Sequence, residues 1–316
     1  MWAYRLEGPL RFVRHEIDPP DEESLPDGYV ILRFLAGGVC GSDIVRCRDG
    51  LAVEGSQPFG RSLHEIVGEV VTTRSDLPVG ARVVGWVADT SGLREFVPTD
   101  GVGLLPADGA IDNVHAAALQ PLACVLWAMS KLGDVRGMRA AVIGLGPIGL
   151  LFAHALKSAG AAAVLGVDAV DRSDVAHTFG LDEVVHRTSR AWALGDPGEF
   201  EVVVEAVGHQ VGTMDDAISV AAPGGTVLYF GNPDDEYYPV RFGMMMDRNL
   251  TLRAGRTPGP DRRGALRRAS AYAAHHPALL VDYVTDVLPA SEAQAAYEKA
   301  SRPAAGQLKV VLDAAV

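Results

Sequence analysis

The sequence predicts an α/β protein, in which a β-rich portion comes first and a doubly wound parallel sheet follows. Three observations carry this reading. The chain up to about residue 110 reads as short strands cut by Gly and Pro, strands and helices alternate from about residue 139 to 254, and a Gly-x-Gly-x-x-Gly turn joins the first strand and helix of that alternation.

The early strands are expected at residues 29–35, 66–72, 81–87 and 94–97, all rich in Val, Ile and aromatics. Residues 115–132 carry apolar side chains at three- and four-residue spacing and predict a helix. The alternation then runs through strand 139–143, helix 148–159, strand 163–167, a helix after Asp171, strand 201–206, helix 213–221 and strand 226–230. Alternation of this kind implies parallel strands covered on both faces. A strand at 249–254 extends the sheet, and helices 261–275 and 291–300 lead to a closing strand at 307–312. The acidic stretch from Asp18 to Asp27 is expected as a solvated loop.

Composition narrows the function. The 316 residues are 48% hydrophobic and 22% charged with a formal net charge of -12, enough to bury two cores and wrong in sign for a phosphate backbone. Nucleic acid is therefore an unexpected partner. The opening Met1-Trp2-Ala3-Tyr4 lacks the apolar core of a secretory signal, and no apolar stretch is long enough to span a bilayer, so a cytoplasmic protein with no membrane partner is expected. Three cysteines, Cys40, Cys47 and Cys124, suit reduced thiols or a ligand role better than a disulfide framework.

The glycine turn reads Gly144-Leu145-Gly146-Pro147-Ile148-Gly149. In such a turn the first glycine allows the tight reversal, the second lets backbone approach a pyrophosphate, and the third lets the helix pack on the strand. The helix N-terminus, with Pro147 and Ile148 in its first turn, then faces the diphosphate. Asp168 ends the next strand, where a carboxylate accepts hydrogen bonds from an adenosine ribose and repels a 2′-phosphate, which favours NAD over NADP. A helix N-cap is the alternative role for Asp168, and Arg172 either flanks the ribose or is a solvated helix charge.

Upstream, Gly38-Val39-Cys40-Gly41-Ser42-Asp43 and Leu63-His64-Glu65-Ile66-Val67-Gly68 supply a thiol and an imidazole, both good zinc ligands, although each alone fits a buried thiol or a surface pair. In this order, together with Gln120-Pro121-Leu122-Ala123, Glu205-Ala206-Val207-Gly208 and Pro223-Gly224-Gly225-Thr226, these segments resemble the zinc-type medium-chain dehydrogenases, above all the polyol and threonine dehydrogenase branch. The resemblance spans essentially the whole chain. It implies a GroES-like catalytic domain over residues 1–112, a Rossmann NAD-binding domain over 113–256, and a return to the catalytic domain over 257–316. It also implies one catalytic zinc on Cys40 and His64, with Glu65 as ligand or near neighbour. Gln120 stands where the polyol branch has Glu, so it is a candidate ligand with one negative charge fewer.

Further roles follow from the same resemblance. Asp43 orients the His ligand, Lys309 pairs with Glu65, Ser42 starts a proton relay, and Val207 and Gly208 line the cofactor. The relay histidine of some relatives is replaced by Val45, and no four-cysteine lobe for a structural zinc is present. Arg46, Arg48, Asp49, Trp86 and Arg94 fall in segments that shape the substrate pocket, and suggest a hydroxylated or anionic substrate. Met244-Met245-Met246 is expected in packing or an interface. The implied protein is a zinc- and NAD-dependent enzyme that interconverts a secondary or polyhydroxylated alcohol and its carbonyl, as a homodimer. A zinc-free enone or quinone reductase of the same superfamily and a non-catalytic NAD-binding protein are the alternatives.

Overall fold

A computed structural model describes residues 1–48 and 58–315; Asp49, a candidate pocket residue, lies outside them. The chain divides into two compact units, one made of Met1–Ala123, Pro258–Pro303 and Gln307–Val316, the other of Cys124–Thr257 and Ala304–Gly306.

In the first unit, Tyr29–Gly38 is the organising strand. It pairs antiparallel with Glu65–Thr73 and with Phe96–Asp100, and near its end with the closing strand Lys309–Asp313. The full order among the described residues is Val284–Pro289, Lys309–Asp313, Tyr29–Gly38, Glu65–Thr73, Arg82–Trp86 and Leu104–Pro106. A hairpin of Trp2–Leu6 and Phe12–Glu16, unread in the sequence, lies beside it as a separate sheet. Val30, Leu32, Phe34, Ile66, Val70, Val83 and Leu312 put their side chains into one core with Tyr297. Alternate residues of these strands share that face, as period-two geometry requires.

The second unit is a six-stranded parallel sheet ordered Glu183–His186, Ala163–Asp168, Arg139–Ile143, Phe200–Glu205, Ala221–Tyr229 and Thr251–Ala254. Numbered within the unit this is 3-2-1-4-5-6, the order of a Rossmann sheet. The order reverses between Arg139–Ile143 and Phe200–Glu205, which places a binding crevice at the C-terminal ends of those strands.

Four expectations need correction. The helix expected over 115–132 is broken into Asn113–Ala116 and Leu119–Met129, because Pro121 has no N–H to give the carbonyl one turn back. The early strand expected at 94–97 begins at Phe96. After Asp171 the chain makes turns instead of a helix, since the Asp171 carboxylate captures the Ser173 amide and hydroxyl, at 2.9 and 2.6 Å. Arg172 is neither solvated nor helical; it is buried, with Nη1 donating to the Ala304 carbonyl at 2.7 Å.

Candidate active site

Cys40 follows the organising strand and precedes the helix Gly41–Arg48, its carbonyl accepting the Asp43 and Ile44 amides at 3.0 and 3.2 Å. That turn carries Asp43 into the interior, 1% exposed, where Oδ1 lies 3.0 Å from His64 Nδ1. A carboxylate accepts, so Nδ1 donates to it, and in the neutral imidazole Nε2 is the nitrogen left to face a metal. His64 enters the strand Glu65–Thr73 and is pinned by its own carbonyl, which accepts the Val87 amide at 3.0 Å.

Cys40, His64 and Glu65 each present one donor atom, and these atoms lie within 4.8 Å of one another. The Glu65 side chain is buried, and Oε1 has no hydrogen-bond partner. Its Oε2 lies 2.5 Å from Lys309 Nζ, which also donates to the Val39 carbonyl at 3.0 Å. Gly38 makes room for this pair, because a Cβ there would sit 2.3 Å from Glu65 Oε2 and 2.7 Å from Lys309 Cε. A thiol, an imidazole and an orphaned buried carboxylate oxygen are a donor set that suits zinc, with a position left open. Burial works against charge on His64, but the Asp43 carboxylate, through its charge and hydrogen bond, and the neighbouring Cys40 outweigh it, so the imidazole pKa is raised well above its usual value.

Ser42 donates to Cys40 Sγ at 3.4 Å. Gln120 is buried in the first turn of Leu119–Met129. Cys47 is buried, and burial pushes its thiol up to about 11, which leaves it a poor nucleophile. Arg94 is half-buried, with its pKa lowered by burial, and the Arg262 guanidinium stacks 5.3 Å from the Trp86 ring.

In the other unit, Gly144 (φ +89) turns the chain out of Arg139–Ile143, and Gly146 caps the helix Pro147–Ser158. The glycines differ in purpose. A Cβ on Gly149 would lie 1.7 Å from the Gly144 carbonyl oxygen, whereas one on Gly146 would meet nothing within 4 Å. Gly149 is therefore required by packing, whereas nothing within the chain requires glycine at Gly146. Asp168 holds the turn from the neighbouring strand, Oδ2 accepting the Leu145 amide at 2.6 Å and Oδ1 the Val170 amide at 2.7 Å. Each oxygen keeps a lone pair for a hydroxyl. Across the order reversal, the amides of Val207 and Gly208 donate to Glu205 Oε1, each at 3.0 Å. Burial raises the Glu205 pKa despite those bonds.

Ser62 and Tyr297 escaped the sequence reading. Ser62 is not glycine yet sits at φ +88, and Tyr297 reaches it from 235 residues away, so no local pattern marks either.

Known proteins resemble this chain in sequence and in fold. Residues 147–271 match the zinc-binding dehydrogenase family model. The chain is 34% identical over 251 residues to D-altritol 5-dehydrogenase of Agrobacterium fabrum, covering 66% of this chain and 70% of that one. It is 30% identical over 288 residues to a probable zinc-binding alcohol dehydrogenase of Mycobacterium tuberculosis, covering 78% and 72%. Among solved structures, an alcohol dehydrogenase of Thermus sp. ATN1 superposes with a TM-score of 0.82 at 22% identity over 99% of both chains. This chain belongs to the zinc-type medium-chain dehydrogenase/reductase superfamily.

Proposed function

We propose that this protein is an NAD-dependent oxidoreductase that interconverts a secondary or polyhydroxylated alcohol and its carbonyl, using one zinc ion held by Cys40, His64 and Glu65. The observation that carries the proposal is the convergence of those three donor atoms within 4.8 Å, behind which Asp43 orients His64 and Lys309 balances Glu65. A zinc-free reductase has no need of such a buried donor set. The relative named D-altritol 5-dehydrogenase supports a polyol as the substrate class.

When bound, zinc supplies Lewis acidity toward the alcohol oxygen, and NAD supplies the hydride acceptor. The chain's own residues do the rest. Cys40 and His64 fix the ion's position, and Glu65, with Oε1 unpartnered, is the third donor. Gln120 is the further candidate, buried at its helix start. A neutral amide there, in place of a carboxylate, leaves the site less negative and the ion a stronger acid. Ser42 is the hydroxyl that would start a proton relay, taking the alcohol's proton as it passes its own on to solvent.

Gly144, Gly146 and Gly149, with Pro147 and Ile148, present the helix N-terminus to the pyrophosphate, and Asp168 takes the ribose hydroxyls. Val207 and Gly208 line the nicotinamide side. Arg172 acts here through the loop after Asp168, which it ties to Ala304.

Among the described residues no helix is long and apolar enough to cross a membrane. We place the protein in the cytoplasm as a homodimer. The pairing edge is the strand Thr251–Ala254, exposed along its length and close in sequence to the exposed Phe242 and Met246. The test is reduction of NAD by a panel of polyols and secondary alcohols, with enones and quinones as controls. Turnover confined to the alcohols and abolished by chelation is expected; enone reduction insensitive to chelation would overturn the proposal.

A further inference from the structure

We infer that Tyr297 and Ser62 form a buried brace that positions His64, which makes Tyr297 a positioning residue of the zinc site proposed above, on which this inference rests. His64 is preceded by two residues in left-handed backbone, Ser62 at φ +88 and Leu63 at φ +78. Neither is glycine, and a side chain makes that conformation costly, so it persists only where the surroundings over-determine it.

The surroundings here are specific. The opposing segment clasps the stretch through backbone: Ser62 N–H donates to the Thr90 carbonyl at 2.8 Å, Gly92 N–H to the Leu63 carbonyl at 3.0 Å, and Val87 N–H to the His64 carbonyl at 3.0 Å. The Leu63 side chain is fully buried over Gly37, where a Cβ would come within 2.5 Å of Leu63 Cδ2. From the far side, Tyr297 in the helix Ala293–Ala300 donates its hydroxyl to Ser62 Oγ at 2.9 Å. Tyr297 has no solvent exposure, and its ring is fixed against Phe12 at 4.3 Å.

The brace and the carboxylate that orients His64 share a wall. Ser62 lines a cavity of about 20 Å³ together with Asp43, Cys47 and Thr90. Ser62 is thus fixed through its amide by Thr90 and through its side chain by Tyr297, while Asp43 holds Nδ1 of the imidazole two residues on. Loss of the tyrosine hydroxyl removes the partner that reaches Ser62 from the helix Ala293–Ala300 and leaves its side chain only the Cys47 thiol, so His64 gains freedom to rotate away from the other two donors.

The experiment compares wild type, Tyr297→Phe and Ser62→Ala for zinc affinity by competition with a chromogenic chelator and for the visible spectrum of the cobalt-substituted protein. Removing outer partners of a metal ligand commonly weakens metal binding 10–100-fold. We expect a loss of about tenfold for each variant, a shifted cobalt d–d band, and unchanged NAD affinity. Lower melting temperature with zinc affinity and cobalt band both at wild-type values would overturn the brace, since a purely structural role has that signature. If Tyr297→Phe does not fold, Ser62→Ala decides alone by the same criteria. A wild type that takes up no zinc overturns the zinc reading and the brace together, whereas a zinc-binding wild type with unaffected variants overturns the brace only.

Discussion

Asp43 Oδ1 and His64 Nδ1 lie 3.0 Å apart, with the aspartate almost wholly buried and the histidine 16% exposed. The contact favours a proton on Nδ1, which leaves Nε2 as the metal-binding nitrogen of the neutral imidazole. Asp43→Asn keeps the size of the side chain but removes the charge that favours a donating Nδ1. Zinc affinity is expected to fall 10–100-fold, the usual range for loss of such a partner, while cofactor affinity is unchanged. Calorimetric titration of the metal-free protein with zinc, and of both proteins with NAD, checks the pair of statements.

Lys309 and Glu65 form an ion pair with side chains 3% and 1% exposed. Breaking a buried pair by removing one partner leaves an uncompensated charge, at a typical cost of about 3–5 kcal/mol. Lys309→Met is expected to destabilise the metal-free protein by about that amount, and the zinc-loaded protein by less, because the ion supplies the missing positive charge. Denaturant unfolding with and without zinc reads the difference. Equal destabilisation in both states would show that Glu65 does not feel the metal.

The two glycines of the cofactor turn separate stability from binding. Gly149→Ala places a methyl 1.7 Å from the Gly144 carbonyl oxygen, a backbone clash expected to cost about 3 kcal/mol or more. Gly146 has φ -64 and ψ -177, open to any residue, and its Cβ position is empty. Gly146→Ala should leave stability within about 0.5 kcal/mol of wild type yet weaken NAD, since the methyl projects where the pyrophosphate comes. Thermal melts and NAD titrations of the two variants distinguish the cases.

Glu205 carries a pH signature. Burial raises its pKa above the unfolded value of 4.5, so its contribution to stability is fully present below about that pH and is lost as pH rises through the folded value. Glu205→Gln keeps a neutral acceptor for the Val207 and Gly208 amides and removes the buried charge. The variant should gain stability relative to wild type as pH is raised toward neutrality, and match it in acid. Melting temperatures of the two proteins from pH 4 to 8 check the sign.

Much of this was legible because its cause is local. The strand–turn–helix of the cofactor site is written in Gly144, Gly146 and Gly149, and the parallel strands in apolar runs such as Ala140-Ala141-Val142-Ile143. The sequence also suggested Cys40, His64 and Glu65 through their resemblance to a family, and their donor atoms do converge. What stayed hidden depends on distant partners. Arg172 reads as a surface charge until Ala304 is seen to accept from it, and the helix expected after Asp171 yields to an aspartate that satisfies Ser173 locally. The strain at Ser62 and Leu63 leaves no mark on residue type at all, because non-glycine residues occupy it.

Whether Cys40 and His64 hold a zinc ion is read from the zinc stoichiometry of the wild type beside Cys40→Ser and His64→Ala, with NAD binding measured on the same samples. One zinc per wild-type chain, little or none in either variant, and near-equal NAD affinity in all three are expected. Wild-type protein without zinc, or variants that hold as much zinc as wild type, would contradict a zinc site on Cys40 and His64.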